Sequence, residues 1–389
     1  MLRYLNAGES HGRGLMAVVE GVPSGLPVTA EGINADLIRR QGGYGRGGRM
    51  RIEKDRIEFI CGVRKGKTLG NPLGLLIWNK DWENWKDIMA SEPGPPSTER
   101  VVTRPRPGHA DLVGAIKYGH SDIRNVLEKA SARETAIRVA IGGVAKSLLA
   151  EFDMRVVSYT MDIGGVAAPS PNDPLIAYEH AEQSEVRCHD PETAKKMVEQ
   201  IRAAKHKGDS LGGIFEVVVT NVPIGLGTYA QWDRRLSARL AFAAMSIQAM
   251  KGVEIGMGFE SARRFGSEVH DDIYFDKATG QFIRKSNNAG GLEGGITNGQ
   301  PIVLRVAMKP IATLYTPKDS VDIETKEPFE ATVERSDICT VPAAGVVGEA
   351  VIAYEMANAM LEKFAGDSLE EMKRNFDAYQ EYVRKFSAK

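Results

Sequence analysis

GESHGRGLMAVVEGVPSGL, residues 8–26, sets a G-x-S-x-G turn before an alternating apolar run and closes on a second turn at Pro23-Ser24-Gly25. The order returns twice: Gly66-Lys67-Thr68-Leu69-Gly70 leads into LGLLIW, and Gly208-Asp209-Ser210-Leu211-Gly212 leads into IFEVVVTNVPIGL. A looser fourth copy, GGITNGQPIVLRVAMKP over 294–310, again feeds a β-branched run from a glycine-rich turn. Repetition constrains architecture more than any single propensity does. Four related turn–strand units imply internal pseudo-symmetric repeats and antiparallel sheets, each with one face packed and one wetter.

Helical stretches lie between the copies. Thr29 reads as the N-cap of a helix over 30–41, with Ile33 and Leu37 on one face and Gly42-Gly43 as the stop. Residues 125–150, 234–250 and 343–364 are long, rich in Ala and apolar around much of their circumference, as helices buried on several sides are. The expected class is α+β: a β-α-β sandwich with a helical core between two antiparallel sheets. One domain is expected over 1–389. Within it, 165–210 reads as a surface excursion, punctuated by Pro and Asp to 191 and helical at about 192–206, and 366–389 as an amphipathic C-terminal helix.

The 50 basic residues against 51 acidic ones leave a formal charge of -1, so no global field draws in nucleic acid or an anionic membrane. Any basic site is local. Cys61, Cys188 and Cys339 lack C-x-x-C spacing, which argues against a disulfide framework or a zinc site. The start, MLRYLNAGES, has no basic-then-apolar leader, and no run of eighteen apolar residues occurs; a cytoplasmic protein without a membrane partner is expected.

RRQGGYGRGGRMRIEKD, residues 39–55, contains G-x-G-x-x-G, but a dinucleotide fold places a strand before those glycines and a helix after them. Here a helix comes first, and RMRIEKDRIEFI reads as strands. A nucleic-acid segment would interleave more aromatics than Tyr44 and fewer acids than Glu53, Asp55 and Glu58. A solvated hairpin and a flexible arginine clamp for a small polyanion both remain. Ser10 and Ser210 fit the G-x-S-x-G elbow of a serine hydrolase, the alternative from another class. That elbow needs strand, turn, helix, whereas these strands follow the motif.

Two of seven histidines sit in glycine turns: His11 in GESHG and His109 in RPGHAD, with Arg104 and Arg106 beside the second and Arg124 beyond. Imidazole suits general acid work near neutrality. In KASARETAIR, Arg133 and Glu134 interrupt small residues, as a buried ion pair or as groups facing a ligand. In VERSDIC, an extended chain would set Arg335 and Asp337 on one face.

GESHG, RQGGYGRGGRM, RPGHAD, KYGHSDIRN, SARETAIRVAIGGVAK, GDSLGG, KGVEIG, NNAGGLEGGITNGQ, MKPIATL and RSDIC, in this order from Met1 to about Lys363, resemble the chorismate synthases. The resemblance implies a lyase of the shikimate pathway that converts 5-enolpyruvylshikimate 3-phosphate to chorismate and phosphate by 1,4-elimination, with reduced FMN and no net redox change. It also implies a β-α-β sandwich assembled as a homotetramer.

By position, the resemblance implies that Arg40, Arg46 and Arg49, with Arg133 and Arg335, grip the substrate's two carboxylates and phosphate. His11 would be the acid at the departing phosphate, with Ser10 holding that group. His109 would stabilise or protonate the reduced flavin, and Asp337 would help the flavin N5 accept the substrate proton. Flavin contacts fall on Lys129, Ala130, Ser131, Gln248, Ala249 and Gly294, on Lys309, Pro310, Ile311, Ala312 and Thr313, and on Arg335. Some relatives reduce their own flavin with NADPH through arginines at the Arg40 and Arg46 positions. No appended reductase segment is visible, so the expectation is a monofunctional enzyme supplied by an external flavin reductase.

Overall fold

A computed structural model describes residues 1–48, 52–94, 99–334 and 336–387. Strands β1 (Arg3–Gly8), β2 (Gly14–Glu20), β3 (Ile57–Cys61) and β4 (Leu73–Trp78) form an antiparallel sheet in the order β1-β2-β4-β3. Strands β5 (Arg155–Ile163), β6 (Val166–Ala167), β7 (Gly213–Thr220), β8 (Met250–Ile255) and β9 (Ile302–Met308) form a second, in the order β8-β9-β7-β5-β6. Every pairing within both is antiparallel.

The helices that matter to the site are α1 (Ala30–Gln41), α2 (Arg124–Ala130), α3 (Thr135–Ala150), α4 (Leu236–Met245), α5 (Val341–Phe364) and α6 (Leu369–Ser387). Thr29 caps α1 through its hydroxyl, which accepts from Gly32 N, and Gly42 ends it. Helix α3 packs on β2 and β4, α5 packs on β5 and β7, and the two helices pack on each other. Contact is close because Gly142 meets Ala350 with no room for a Cβ, and Gly348 fits against Phe215. Leu15, Ala17 and Val19 of β2, Leu75 and Ile77 of β4, and Phe215, Val217 and Val219 of β7 are buried in this one core.

The repeated turns make matching bonds. Thr68 Oγ1 accepts from Leu26 N and donates to Pro23 O, while Gly25 N donates to Thr68 O and Thr68 N to Leu26 O. Thr297 does the same with Leu226, Pro223 and Gly225. The chain ends are also tied in: Leu2 N donates to Asn358 Oδ1, Tyr354 OH donates to Leu2 O, and Ser24 brackets the start of α6 through Asp367 and Leu369.

Four local expectations are corrected. The helix expected over 125–150 breaks at Ser131, whose backbone is extended and whose hydroxyl accepts from Arg133 N, and a short 3-10 turn over 132–134 leads into α3. The helix expected over 234–250 spans only α4, because a 3-10 turn precedes it and β8 begins at Met250. Of the stretch expected as strands after the Arg-Gly loop, residues 49–51 lie outside the described ones, and among those described the strand begins at Ile57, since Glu53 and Asp55 turn inward. The outer face of the first sheet is exposed but apolar: Leu5 faces Val18 across the ladder and Met16 faces Leu76, with Trp78 beside them.

Within 165–210, Asp173 caps a helix over Pro174–Glu182 and Asp190 caps another over Pro191–His206. Val186, Cys188, Met197 and Ile201 from this segment are buried in the main core. Beneath it lies an ionic cluster in which Glu349 of α5, fully out of water, accepts from Arg39, Lys146, Arg187 and Ser158. Burial alone would push the Glu349 carboxyl up, but Lys146, Arg39 and Arg187 hold it well below the ordinary glutamate range.

Candidate active site

The Gly8–Gly12 turn sits on the C-terminal end of α2. Ser10 N donates to Glu128 O at 2.8 Å, and His11 N donates to Glu128 Oε2 at 2.7 Å. The His11 ring has Nδ1 at 3.0 and 3.1 Å from the two Glu128 carboxylate oxygens. Its face lies on Trp85, with centroids 3.9 Å apart and planes 19° apart. Burial pushes the Glu128 carboxyl up, but the bonds and charge of His11, with Arg124 behind, outweigh that and leave it below its ordinary value. Ser10 Oγ donates to Ser131 Oγ at 3.1 Å, so the turn also touches the break between α2 and α3.

That break aims cations into one space. Arg133 Nη1 donates to both oxygens of Asp55 at 2.6 and 2.7 Å, and Nε and Nη2 donate to Asn79 Oδ1. Asn79 Nδ2 donates in turn to Glu9 O and Gly12 O, which ties Arg133 to the histidine turn. Arg40 donates to Thr135 Oγ1 and Ala132 O, and lies 3.5 Å from Asp55. Burial, aided by the charges of Arg133 and Arg46 and only partly offset by Asp55, pushes the Arg40 guanidinium down to about 9. A buried cation short of counter-charge favours an anionic ligand. Arg46 reaches Asp337 at 3.5 Å, and the loop is seated by Gly47 N donating to Asp337 Oδ1, Tyr44 N to Glu185 O and Ile338 N to Gly45 O.

On another wall, His109 Nδ1 bonds Asp111, which also accepts from Arg106 N and Nε at 2.9 Å. Burial acts to raise the Asp111 carboxyl, but His109 and Arg106 hold it well below the carboxylate range. Arg106 Nη1 donates to Thr313 Oγ1 at 2.7 Å, joining this wall to the 309–313 turn. Ala249 takes a left-handed φ of 70°, rare for a residue with a Cβ, and accepts from Lys309 N. Gln248 Nε2 donates to Glu134, while its Oε1 is buried with no hydrogen-bond partner among the described residues.

These groups enclose one cavity of about 1000 Å³. Ser10, His11, Arg40, Arg46, Arg133, His109 and Asp337 line it, as do Ala130, Ser131, Gln248, Ala249 and Lys309 through Thr313. Lys129 and Gly294 do not: Lys129 is exposed on α2, and Gly294 lies in the turn between Leu292–Glu293 and Ile296–Thr297. Arg49 and Arg335 fall outside the described residues, so the shared strand face of Arg335 and Asp337 is not described, and 336–339 carries no strand.

Arg133 realises the buried ion pair while still lining the cavity. Sequence reasoning missed Glu128, Trp85, Asp55, Asn79 and Asp111, because each acts through a partner distant in sequence or inside an unremarkable motif. Only Asp111, two residues after His109 in RPGHAD, was close enough to be noticed. The serine hydrolase alternative fails: Ser10 and Ser210 both precede strands, and the Ser210 hydroxyl donates to Ile311 O at 2.7 Å.

The family model described as chorismate synthase matches residues 2–361. A chorismate synthase of Geobacter metallireducens is 58% identical over 396 residues, covering 99% of this chain and 100% of the relative. One of Enterococcus faecalis is 55% identical, with 99% and 100% covered. A crystal structure of chorismate synthase superposes with a TM-score of 0.80 at 46% identity, covering 99% of this chain and 98% of that one. With its whole length matched in sequence and fold, the chain belongs to the chorismate synthase family.

Proposed function

We propose that the cavity holds 5-enolpyruvylshikimate 3-phosphate beside reduced FMN, and that the residues around it divide the labour of a 1,4-elimination. Family membership makes the chain a lyase of the last shikimate-pathway step, which yields chorismate. The observation that carries the site assignment is the convergence of Arg40, Arg46, Arg133 and His11 on one cavity of about 1000 Å³. That volume is at the upper end of single-ligand pockets, as two ligands require. Arg100, Arg106, Arg124 and Lys309 add to its cationic lining, suited to carboxylates and phosphates.

FMN fits this lining. The unpartnered Gln248 Oε1 is an acceptor for a ring N–H, and the Ala249 and 309–313 backbones form a rim beside it. When bound, the reduced flavin supplies electron density for cleavage of the C–O bond. Arg40, Arg46 and Arg133, with Arg49 and Arg335 as further candidates, orient the substrate anions. Ser10 holds the leaving phosphate, and His11 gives it a proton. His109, oriented by Asp111, and Asp337 manage protons on the flavin side. Lys129 and Gly294 remain candidates for cofactor contacts.

The packing of α3 and α5 between two sheets supports the β-α-β sandwich as a single domain, and the matching Thr68 and Thr297 bonds support pseudo-symmetric repeats. The apolar outer face of the first sheet supports a homotetramer. A monofunctional cytoplasmic enzyme fed by an external flavin reductase is the reading for the reductant, with NADPH as its indirect source. Among the described residues no helix is long and apolar enough to cross a membrane. The test is anaerobic: protein, reduced FMN and substrate should give chorismate and phosphate in equal amounts. Equal rates with and without flavin would overturn the assignment, and full activity with NADPH, FMN and no reductase would overturn the monofunctional reading.

A further inference from the structure

Two side chains with no assigned part in the reaction fix the His11 ring. Glu128 grips the residue twice, through the backbone N at 2.7 Å and through Nδ1 at 3.0 Å, and is itself buried. An ionised carboxylate only accepts hydrogen bonds, so Nδ1 must carry a hydrogen. Nε2 is then the nitrogen left for a ligand in the cavity.

Trp85 fixes the ring plane. The imidazole lies 3.9 Å from the indole centroid and the Arg100 guanidinium carbon 4.0 Å from it. The Arg124 guanidinium carbon lies 5.3 Å from the same ring centroid, so the indole is crowded by three planar groups. Trp85 is 5% exposed, which leaves the stack little room to slide.

We propose that Glu128 is the positioning residue of the acid: it keeps a hydrogen on His11 Nδ1, so that the doubly protonated ring gives up only its Nε2 proton, to the departing phosphate, while Trp85 clamps the ring plane. As the C–O bond breaks, its electron pair leaves with the phosphate oxygen, the Nε2 proton passes to that oxygen, and Glu128 keeps its charge. This rests on the reading of His11 as general acid. Glu128 also gains a function that packing alone would not require, because its two bonds to His11 orient a group rather than fill a space.

The test is a double-mutant cycle in the full chain with reduced FMN. Glu128→Gln keeps the size but offers an amide N–H to Nδ1, which opposes a hydrogen there and so disfavours the doubly protonated acid form. Its kcat should fall by about ten- to a thousandfold with KM within about threefold, and the solvent deuterium isotope effect on kcat should rise. In a His11→Ala background the same substitution should change kcat by less than about twofold. An equal loss in both backgrounds, or a loss confined to KM, overturns the proposal. A wild-type kcat in His11→Ala alone would instead sink the reading of His11 as acid. Trp85→Leu, with Trp85→Phe as the stacking-competent rescue, runs the same cycle if Glu128→Gln does not fold.

Discussion

Arg133 can lie almost wholly out of water because Asp55 and Asn79 accept its hydrogens, and removing either would leave a buried donor unmet, at a cost of about 1–3 kcal/mol. Arg46 differs: its loop is seated by backbone bonds from Tyr44 and Gly47 and by one from Ile338, so its guanidinium can be removed without unseating the turn. Arg46→Ala should therefore raise KM by about ten- to a hundredfold, the worth of one charge-assisted bond at 1.5–3 kcal/mol, and make KM less sensitive to salt. Steady-state kinetics at two ionic strengths would check this, and an unaltered KM would remove Arg46 from the clamp. At this scale the sequence displayed many of the charged residues that line the cavity, Arg40, Arg46, Arg133 and His11 among them. It hid those that face other residues, because Glu128 or Asp55 looks like any surface acid until the fold supplies its partner.

Among the elements, the crossing of α3 and α5 depends on Gly142, where a methyl group would overlap Ala350. In an isolated helix Gly→Ala stabilises by about 1 kcal/mol, yet overpacking costs about 1–3 kcal/mol, so Gly142→Ala should destabilise on balance. Thermal melts should show a lower midpoint. The Glu349 cluster binds α1, α3 and α5 to the segment around Arg187. Its carboxyl is depressed in the folded state, so the stability it contributes is fully present above the ordinary value of 4.5 and is lost as pH falls below it. Glu349→Gln should cost about 3–5 kcal/mol at neutral pH and flatten the loss of stability below about pH 4.5, as melts across that range would show. A cap and a one-sided apolar face made α1 legible, and a long run apolar around its circumference made α5 legible to within two residues at its start. The break at Ser131 was not legible, because SARETAIR has good helix propensity throughout and only the cavity gives Ser131 and Arg133 reasons to leave the helix.

For the whole molecule, the turn repeats revealed the sheets, whereas the outer face of the first sheet broke the expected polar alternation. Leu5, Met16, Val18 and Trp78 lie exposed there, a pattern that marks association surfaces. If the proposed homotetramer uses this face, Val18→Lys should split or weaken it, as analytical ultracentrifugation would show; an unchanged sedimentation profile would count against an interface here. The tether from Leu2 to Asn358 and Tyr354 has a temporal counterpart. A ribosome releases β1 some 350 residues before the helix that tethers it, so the N-terminal sheet can pair within itself and meet α3 long before Leu2 finds Asn358. Until that contact forms the sheet's first strand is untethered, and the emerging chain should depend on chaperones more than its well-packed native state suggests.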